Sequence, residues 1–305
     1  MELQSWLWLS HGLGFGAPNS GRVLAEHAHS LSALAASPAV LSQSGLFTPR
    51  QRQRLLAAGP AAFAPLEETL KRAGIQALVY TSPAYPALLK TIHNPPPVLY
   101  TKGDTALLNS RLCIAVVGAR KPSAYGVQAV QSLGWQIAAG GAVVVSGLAA
   151  GLDTEAHKAA LAAGQPTVAC IAFGHDVCYP SENRGLMEII QRHGAVVSEY
   201  PPGTRPEKPF FLQRNRIIAG LSHGVLVAEA RSRSGTMSTV NFAAEWGREV
   251  FAVPGSIFSP LSEGTHAQVC GASGLGPAAA MAALTELELA GLSRQLAGRQ
   301  FIVNQ

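Results

Sequence analysis

The sequence predicts an α/β protein built on a doubly wound, mainly parallel sheet, preceded by a small all-α segment. From residue 112 onward, short continuous apolar runs alternate with segments of helical period, the pattern of a parallel sheet whose two faces are both covered by helices. Several of these runs end at a glycine, where the strands of such sheets turn into loops. Before residue 82, apolar residues recur at three- and four-residue spacings between glycines and prolines, which predicts helices.

The predicted strands of the sheet are LCIAVVG (112–118), AVVVSG (142–147), TVACIAFG (167–174), AVVSEY (195–200), GVLVAEA (224–230) and VFAVPG (250–255). Residues 82–104 carry several prolines and are predicted to be extended, with VLYTKG at 98–103 as an edge strand. After Gly274 comes an alanine- and leucine-rich stretch that is too short to fold alone. The patterns predict three domains: a helical one at 1–81, the α/β one at 82–274, and a C-terminal segment at 275–305.

Composition narrows the class of protein. The chain has 305 residues, of which 48% are hydrophobic and 13% charged, and this balance predicts an ordered globular protein. The net charge of +5 permits a polyanionic partner without requiring one. The four cysteines include no C-x-x-C pair, which disfavours a zinc site and a disulfide framework. No apolar run reaches the roughly 20 residues of a membrane span, so we expect a cytoplasmic protein without a membrane partner.

The loops that follow the strands carry the functional signal, because ligands of open parallel sheets bind at the carboxyl ends of the strands. These loops read GARKPSAYG (118–126), SGLAAGLDTEAH (146–157), FGHDVCYPSENR (173–184) and ARSRSGTMST (230–239). Their glycines let the backbone approach a ligand, their hydroxyls donate hydrogen bonds, and Arg120, Lys121, Arg231 and Arg233 add positive charge. Such a rim suits phosphate groups. For any single loop a plain turn is the alternative, and it weakens when three loops meet at one edge.

Missing motifs restrict which phosphate ligand the rim can take. The first loop lacks G-x-G-x-x-G, and the second strand ends in Ser146 rather than an acidic residue, which disfavours a nicotinamide cofactor. No G-K-[ST] follows the glycines, so ATP and GTP are disfavoured as well. No G-x-S-x-G elbow is present, and the HDVC stretch lacks metal-ligand spacing. The sequence therefore predicts no cofactor and no metal.

Six motifs stand in order along the chain: VVGARKPSAYG, SGLAAGLDTEAHKAAL, YPSEN, SEYPPGTRPEKPFFLQRNRIIAGLS, VLVAEARSRSGTMST and REVFAVPG. Together they closely resemble the DNA processing protein A family of bacteria (DprA, also called Smf), and the helical N-terminal part is similar to that family's sterile-alpha-motif-like domain. The resemblance implies an extended Rossmann fold that binds single-stranded DNA without sequence preference. It also implies a homodimer that helps to load the RecA recombinase during natural transformation, and it implies no catalysis.

The resemblance and the chemistry of the strand-end loops together assign residues to the site. Those expected to bind DNA or phosphate lie in the four strand-end loops and in the RNR stretch of the fourth motif: Gly118, Ala119, Arg120, Lys121, Ser123, Tyr125, Gly126, Ser146, Gly147, Leu148, Gly151, Phe173, Gly174, Arg184, Arg214, Asn215, Arg216, Arg233, Ser234, Gly235 and Thr236. Asp153 and His157 lie four residues apart, on one helical face, and we expect both to have structural roles in the second loop.

Some of these residues have a structural alternative. Sequence-independent strand binding needs an apolar surface on which bases stack, and Phe173, Tyr125 and Phe211 are candidates for it. An aromatic beside a strand end is more often packing than a base platform. For Arg214 and Arg216 the alternative to a DNA contact is an ion pair with Glu199 or Glu229, and the sequence leaves both open.

The chain departs from the family pattern at two places. Ser181 stands where some relatives carry a lysine, so that Arg184 is the nearest cation of the third loop. Residues 275–305 look like the last helix and wing of a winged-helix domain whose first helices are missing.

Two other functions remain open at this point. The stretch RSRSGTMSTVNFAAE faintly resembles a motif of nucleoside-monophosphate phosphoribohydrolases, which are enzymes of a related fold. That motif needs a carboxylate directly after its Gly-Thr step, and here Met237, Ser238 and Thr239 follow. A pure interaction scaffold that dimerises and binds RecA is the third possibility.

Overall fold

The structure is a computed structural model, and it describes residues 2–256 and 259–265 together with the strands at 293–296 and 300–303. The chain begins with short helices around a common apolar core that includes Trp6, Leu9 and Leu24. Their bounds are α1 Glu2–Leu13, α2 Ser20–His27, α3 Leu31–Ala36, α4 Pro38–Gln43, α5 Pro49–Ala57 and α6 Ala64–Ala73, with a 3₁₀ turn at Pro60–Phe63.

Local sequence signals set the ends of two of these helices. At the start of α5, the Thr48 side chain accepts a hydrogen bond from the Gln51 N–H, while the Gln51 side chain accepts one from the Thr48 N–H. This reciprocal capping satisfies two backbone donors that the helix leaves free. At the end of α6, Gly74 takes a left-handed conformation with φ of 62°, which a residue without Cβ adopts at little cost.

An eight-stranded sheet forms the centre of the molecule. Its strands are β1 Gln76–Val79, β2 Val98–Gly103, β3 Cys113–Val117, β4 Val143–Ser146, β5 Thr167–Ile171, β6 Ala195–Ser198, β7 Gly224–Val227 and β8 Glu249–Ala252. The strand order is β1-β2-β6-β5-β4-β3-β7-β8. The strands from β3 to β8 pair in parallel, and β2 joins both β1 and β6 antiparallel.

The sheet reverses its direction of growth between β3 and β7. From β3 the chain adds β4, β5 and β6 on one side, and it then returns to place β7 and β8 on the other. The crossover helices are α9 Ala124–Ala139, α10 Leu152–Ala162, α11 Arg184–His193, α12 Lys208–Gly220 and α13 Gly235–Glu245, and short helices lie at α7 Ala87–Lys90 and α8 Leu107–Ser110. In doubly wound sheets such a reversal opens a crevice at the carboxyl ends of the strands.

The sheet is covered on both faces, as its continuous apolar strands require. On one face, Val116, Val144 and Leu226 pack against α9 and α10. On the other face, Val117 and Val227 lie in a core shared with α12 and α13. The predicted α/β fold with a doubly wound, mainly parallel sheet and a helical N-terminal part is confirmed.

Two details of the prediction are wrong. Residues 76–79, which fall inside the segment predicted to be helical, form β1 and pair with β2. The stretch VLYTKG is consequently an inner strand between β1 and β6, because β1 takes the edge position. The prolines at 95–97 precede β2, so its ladder of N–H donors is intact.

Of residues 275–305, the structure describes only β9 (Ser293–Leu296) and β10 (Gln300–Val303). These two strands pair antiparallel as a separate two-stranded sheet. The rest of the winged-helix-like segment predicted at 275–305 lies outside the described residues, and the three-domain division stays a prediction. Within the described part of the chain, no helix has the length and apolar character needed to cross a bilayer.

Candidate functional site

A cleft of about 560 Å³ opens at the carboxyl ends of β3 and β7, where the sheet reverses. The first loop forms one wall, α12 forms another, and the loop that leads into α13 closes the third side. Ten of the residues assigned to the site or to its second loop from the sequence line this cleft: Gly118, Ala119, Arg120, Lys121, Asp153, Arg214, Asn215, Ser234, Gly235 and Thr236. Phe211, Leu212 and Arg231 line it as well.

The first loop is held in place by a buried carboxylate. Glu229, at the end of β7, is 3% exposed and accepts hydrogen bonds from the N–H and the hydroxyl of Ser123. The Ser123 hydroxyl also accepts a bond from the Gly126 N–H and so caps α9. A Cβ at Gly126 would lie 2.4 Å from a Glu229 carboxylate oxygen. Ser123 and Gly126 thus shape the loop from behind instead of lining the cleft.

The backbone donors at the base of the cleft point to Asp153. Its buried carboxylate accepts hydrogen bonds from the backbone N–H groups of Gly118, Gly147 and Ala149. Burial raises the pKa of this carboxyl, while the Arg214 guanidinium and the N–H groups oppose the rise. The side-chain carboxyl group of Asp153 therefore occupies the amides that the sequence predicts for a phosphate. Gly151 starts α10 behind this cradle with φ of 83°, and a Cβ there would lie 2.4 Å from the Ala119 carbonyl oxygen.

Arg214 and Asn215 connect the walls of the cleft. Arg214 is 3% exposed, and its guanidinium donates to the carbonyl oxygens of Gly147 and Cys170. The Asn215 amide donates to the Gly235 carbonyl at 3.0 Å. Across the cleft, the Thr236 hydroxyl donates to the Gly118 carbonyl at 3.0 Å. These bonds tie the first loop, the second loop and α13 to one another.

Arg216 forms the ion pair that the sequence leaves open. It pairs with Glu199, and both side chains are 2% exposed. A second guanidinium nitrogen of Arg216 donates to the Asn94 carbonyl at 2.7 Å. The prediction of a DNA contact for Arg216 is corrected, because this guanidinium is buried and its charge is paired inside the protein.

For three further residues, burial contradicts the predicted contact with DNA. Phe173 is 1% exposed and packs with Tyr200 in the apolar core, so it has no free face for a base. Ser146 is fully buried and donates its hydroxyl hydrogen to the Val116 carbonyl at 2.6 Å. Leu148 is also fully buried, in a backbone conformation with φ of 56°. All three side chains are packed inside the protein at this edge of the sheet.

The remaining predicted residues do not line the cleft. The Tyr125 hydroxyl donates to the Pro254 carbonyl, and the buried Gly174 donates its N–H to the Thr204 carbonyl. Arg184 and Arg233 are exposed but do not line the cleft.

His157 is fully buried, and its Nδ1 lies 2.8 Å from the Thr167 hydroxyl oxygen. That hydroxyl donates to the Val144 carbonyl, so Nδ1 carries the proton and donates to Thr167. Burial lowers the pKa of His157 to about 3. The ring is therefore neutral and joins α10 to the sheet. Its partner is the start of β5 and not the second loop.

The exposed surface of the cleft combines cations with aromatic rings. The Arg120 guanidinium lies 5.3 Å from the centre of the Phe211 ring. Phe211 in turn contacts Tyr179, with 5.6 Å between ring centres, and Tyr179 is 48% exposed. Lys121 and Arg231 are exposed nearby. Within the described ranges, no carboxylate pairs with any of these three cations.

Tyr179 is the residue that sequence reasoning missed. It lies in the quoted YPSEN motif, but the position of its ring beside Phe211 depends on how the third loop folds over α12. Arg231 counts among the strand-end cations in the sequence, and only the structure distinguishes it from Arg233 as a cleft residue. The surface can attract phosphates through its cations and hold a flat ring against Phe211 and Tyr179.

The sequence of the chain is similar to those of known proteins. The family model described as DNA recombination-mediator protein A matches residues 76–276. DNA processing protein DprA of Bacillus subtilis is 46% identical over 191 residues, which cover 63% of this chain and 64% of the relative. DprA of Streptococcus pneumoniae is 48% identical over 182 residues, covering 60% and 64%. The match thus spans just under two thirds of each of these relatives.

Two solved structures are similar as well. The X-ray structure of DprA from Streptococcus pneumoniae has a TM-score of 0.75 and 35% identity, and the match covers 88% of this chain and 92% of that one. A structure of DNA processing protein A from Helicobacter pylori, described as giving insight into its single-stranded DNA binding mode, has a TM-score of 0.59 and 31% identity. That match covers 66% of this chain and 89% of the other.

Proposed function

The chain belongs to the family of DNA recombination-mediator protein A, and from this membership we propose that it binds single-stranded DNA without sequence preference. In this proposal it protects incoming strands and loads the RecA recombinase onto them during natural transformation, as a homodimer in the cytoplasm. The similarity to the Helicobacter pylori protein supports the choice of ligand.

The observation that carries the proposal is that cations without a carboxylate partner lie beside the half-buried ring of Phe211 and the exposed ring of Tyr179, at the edge where the sheet reverses. Arg120, Lys121 and Arg231 line the cleft with no carboxylate partner among the described residues. Long basic side chains of this kind bind phosphates and release counterions, whatever the base sequence. Phe211 and Tyr179 offer the ring surface on which a base can stack.

The same surface favours a single strand over a duplex. Stacking on a protein ring needs a base whose face is free, and in a duplex both faces are covered by neighbouring base pairs. Every base has such a face, so this contact tolerates any sequence. The prediction is a higher affinity for single strands than for duplex DNA of the same length.

We also propose that the site works by binding and without catalysis. Asp153, which lines the cleft, and Glu229, which holds the first loop, are buried and hydrogen-bonded to loop donors. Each of them holds a loop, which leaves neither as a free acid or base. The relatives are named as DNA processing proteins, and release of base from AMP is the assay that would reveal the alternative hydrolase.

The test is a fluorescence-anisotropy titration of labelled single-stranded and duplex DNA over a salt series. Arg120→Ala is compared with Arg72→Ala, a control on α6 that also removes an exposed arginine. We expect strand-selective binding whose salt dependence falls by about 0.7 in log–log slope for Arg120→Ala, the value of one phosphate contact on a single strand. Arg72→Ala should match the wild type. Absence of binding at low salt, or an unchanged slope in folded Arg120→Ala, would overturn the proposal.

A further inference from the structure

Helix α12 presents two adjoining faces to two different parts of the molecule. Phe211, Arg214 and Ile218 follow one another at spacings of three and four residues and line the cleft. Phe210 and Gln213 are also three residues apart and form the neighbouring face. Phe210 and Phe211 both pack against the apolar cluster that contains Tyr200. Whatever packs against Phe210 and Gln213 therefore sets the height and rotation of Phe211 in the cleft.

The loop between α1 and α2, residues 14–19, contacts that second face through Tyr200. The ring of Phe15 meets the ring of Tyr200 edge-on, with 5.2 Å between centres. Tyr200 is fully buried and stacks on Phe210 at 4.5 Å. Its hydroxyl donates to the Gln213 side-chain oxygen at 3.2 Å. A continuous contact thus runs from the helical N-terminal part to α12.

Gly16 adds a second connection through a buried charge. Its N–H donates to one Glu199 oxygen at 2.9 Å, and the other Glu199 oxygen pairs with Arg216 of α12. Gly16 has φ of 67°, and a Cβ there would lie 3.1 Å from the Gln213 side chain. The close approach of this loop to α12 therefore depends on the glycine.

We propose that Phe15 and Gly16 are positioning residues for DNA binding. They hold α12 so that Phe211, with Arg120 against its ring, is presented to a strand. In this view the helical N-terminal part controls the affinity of a cleft that it does not line. The proposal rests on the function proposed above for the cleft.

The experiment is a double-mutant cycle between Phe15 and Phe211, read as affinity for a labelled single strand. Phe211→Ala should weaken binding by about fivefold or more, from the loss of one base stack. Phe15→Ala should weaken it by a smaller factor without changing the salt slope, because the phosphate contacts stay. In the Phe211→Ala background, Phe15→Ala should have almost no further effect. Phe15→Tyr keeps the ring and should restore wild-type affinity.

The control is Phe47→Ala, which removes a ring from the apolar core of the N-terminal helices, a different cluster from the one that Phe15 joins, and which has no described contact to α12. Independent multiplication of the Phe15 and Phe211 effects, or an equal loss of affinity in Phe47→Ala, would overturn the proposal. Amide hydrogen exchange of residues 208–215 without DNA gives a second readout: Phe15→Ala should speed it, and unchanged exchange would also overturn the proposal. If the wild type binds no strand, the proposed function fails, and the exchange data alone decide the positioning role.

Discussion

Acidification should destabilise the fold through His157. The ring is fully buried near the Arg214 guanidinium, and its pKa is lowered to about 3. In the unfolded chain the pKa is near the ordinary 6.5, so on acidification the unfolded state takes up a proton that the folded state refuses. The stabilising contribution is therefore complete above pH 6.5 and is lost progressively between pH 6.5 and pH 3. At pH 5 the loss is about 2 kcal/mol.

His175 adds a loss of similar size. It is buried as well, and its pKa is lowered to about 4. Asp153 acts in the opposite direction, because burial raises its pKa and the folded state then binds a proton before the unfolded state does. The part due to His157 is consequently measured best by a variant that cannot titrate at that position.

The variant is His157→Asn, whose side-chain amide can donate to Thr167 in place of Nδ1. Urea unfolding followed by circular dichroism gives the free energy of unfolding at pH 8 and at pH 5. The wild type should lose about 2 kcal/mol more than the variant between these values. His29→Asn, at an exposed position, should behave as the wild type. An identical loss in His157→Asn and wild type would refute this reasoning.

Three further substitutions test the packing of the first loop, the buried ion pair and the aromatic surface. Gly126→Ala places a Cβ 2.4 Å from the Glu229 carboxylate and should cost about 1–3 kcal/mol in urea unfolding; an unchanged midpoint would contradict the assigned contact. Arg216→Met leaves Glu199 buried and unpaired and should cost about 3–5 kcal/mol, most of it regained by adding Glu199→Gln; no such recovery would argue against the ion pair. Tyr179→Ala should weaken single-strand binding about fivefold or more, and wild-type affinity would remove Tyr179 from the base platform.

The parallel strands are predictable because a strand that is buried on both faces of a sheet is a continuous apolar run in the sequence. The strands β3, β4, β5 and β7 consist mostly of valine, isoleucine, alanine and cysteine, and all their residues are buried except the half-buried Ile114. The edge strand β1 has no such continuous buried run: Gln76 is exposed, Ala77 and Val79 are half-buried, and only Leu78 is buried. Its identity as a strand depends on pairing with β2, a contact more distant in sequence than a local pattern can show.

The meeting of the loops is also predictable, since carboxyl ends of parallel strands share one edge. Which side chains then face the ligand is not. Phe173 and Phe211 are the same residue type near the same edge, yet one is buried in the core and the other contacts Arg120. Likewise, Arg216 is buried and Arg120 is exposed. The choice between Glu199 and Glu229 as ion-pair partner depends on the path of α12 across the sheet, which the sequence does not contain.

The position of Asp153 bears on the choice between a nucleotide and a strand as ligand. A tightly bound nucleotide uses rigid backbone N–H groups that fix its phosphates at one place. Here the N–H groups of Gly118 and Gly147 are directed to Asp153, so in the proposed function phosphates are bound by long, exposed side chains such as Arg120 and Lys121. Such side chains can follow a backbone whose phosphates shift along the surface. The same aspartate that blocks a nucleotide cradle therefore favours a polymeric ligand held without a fixed register.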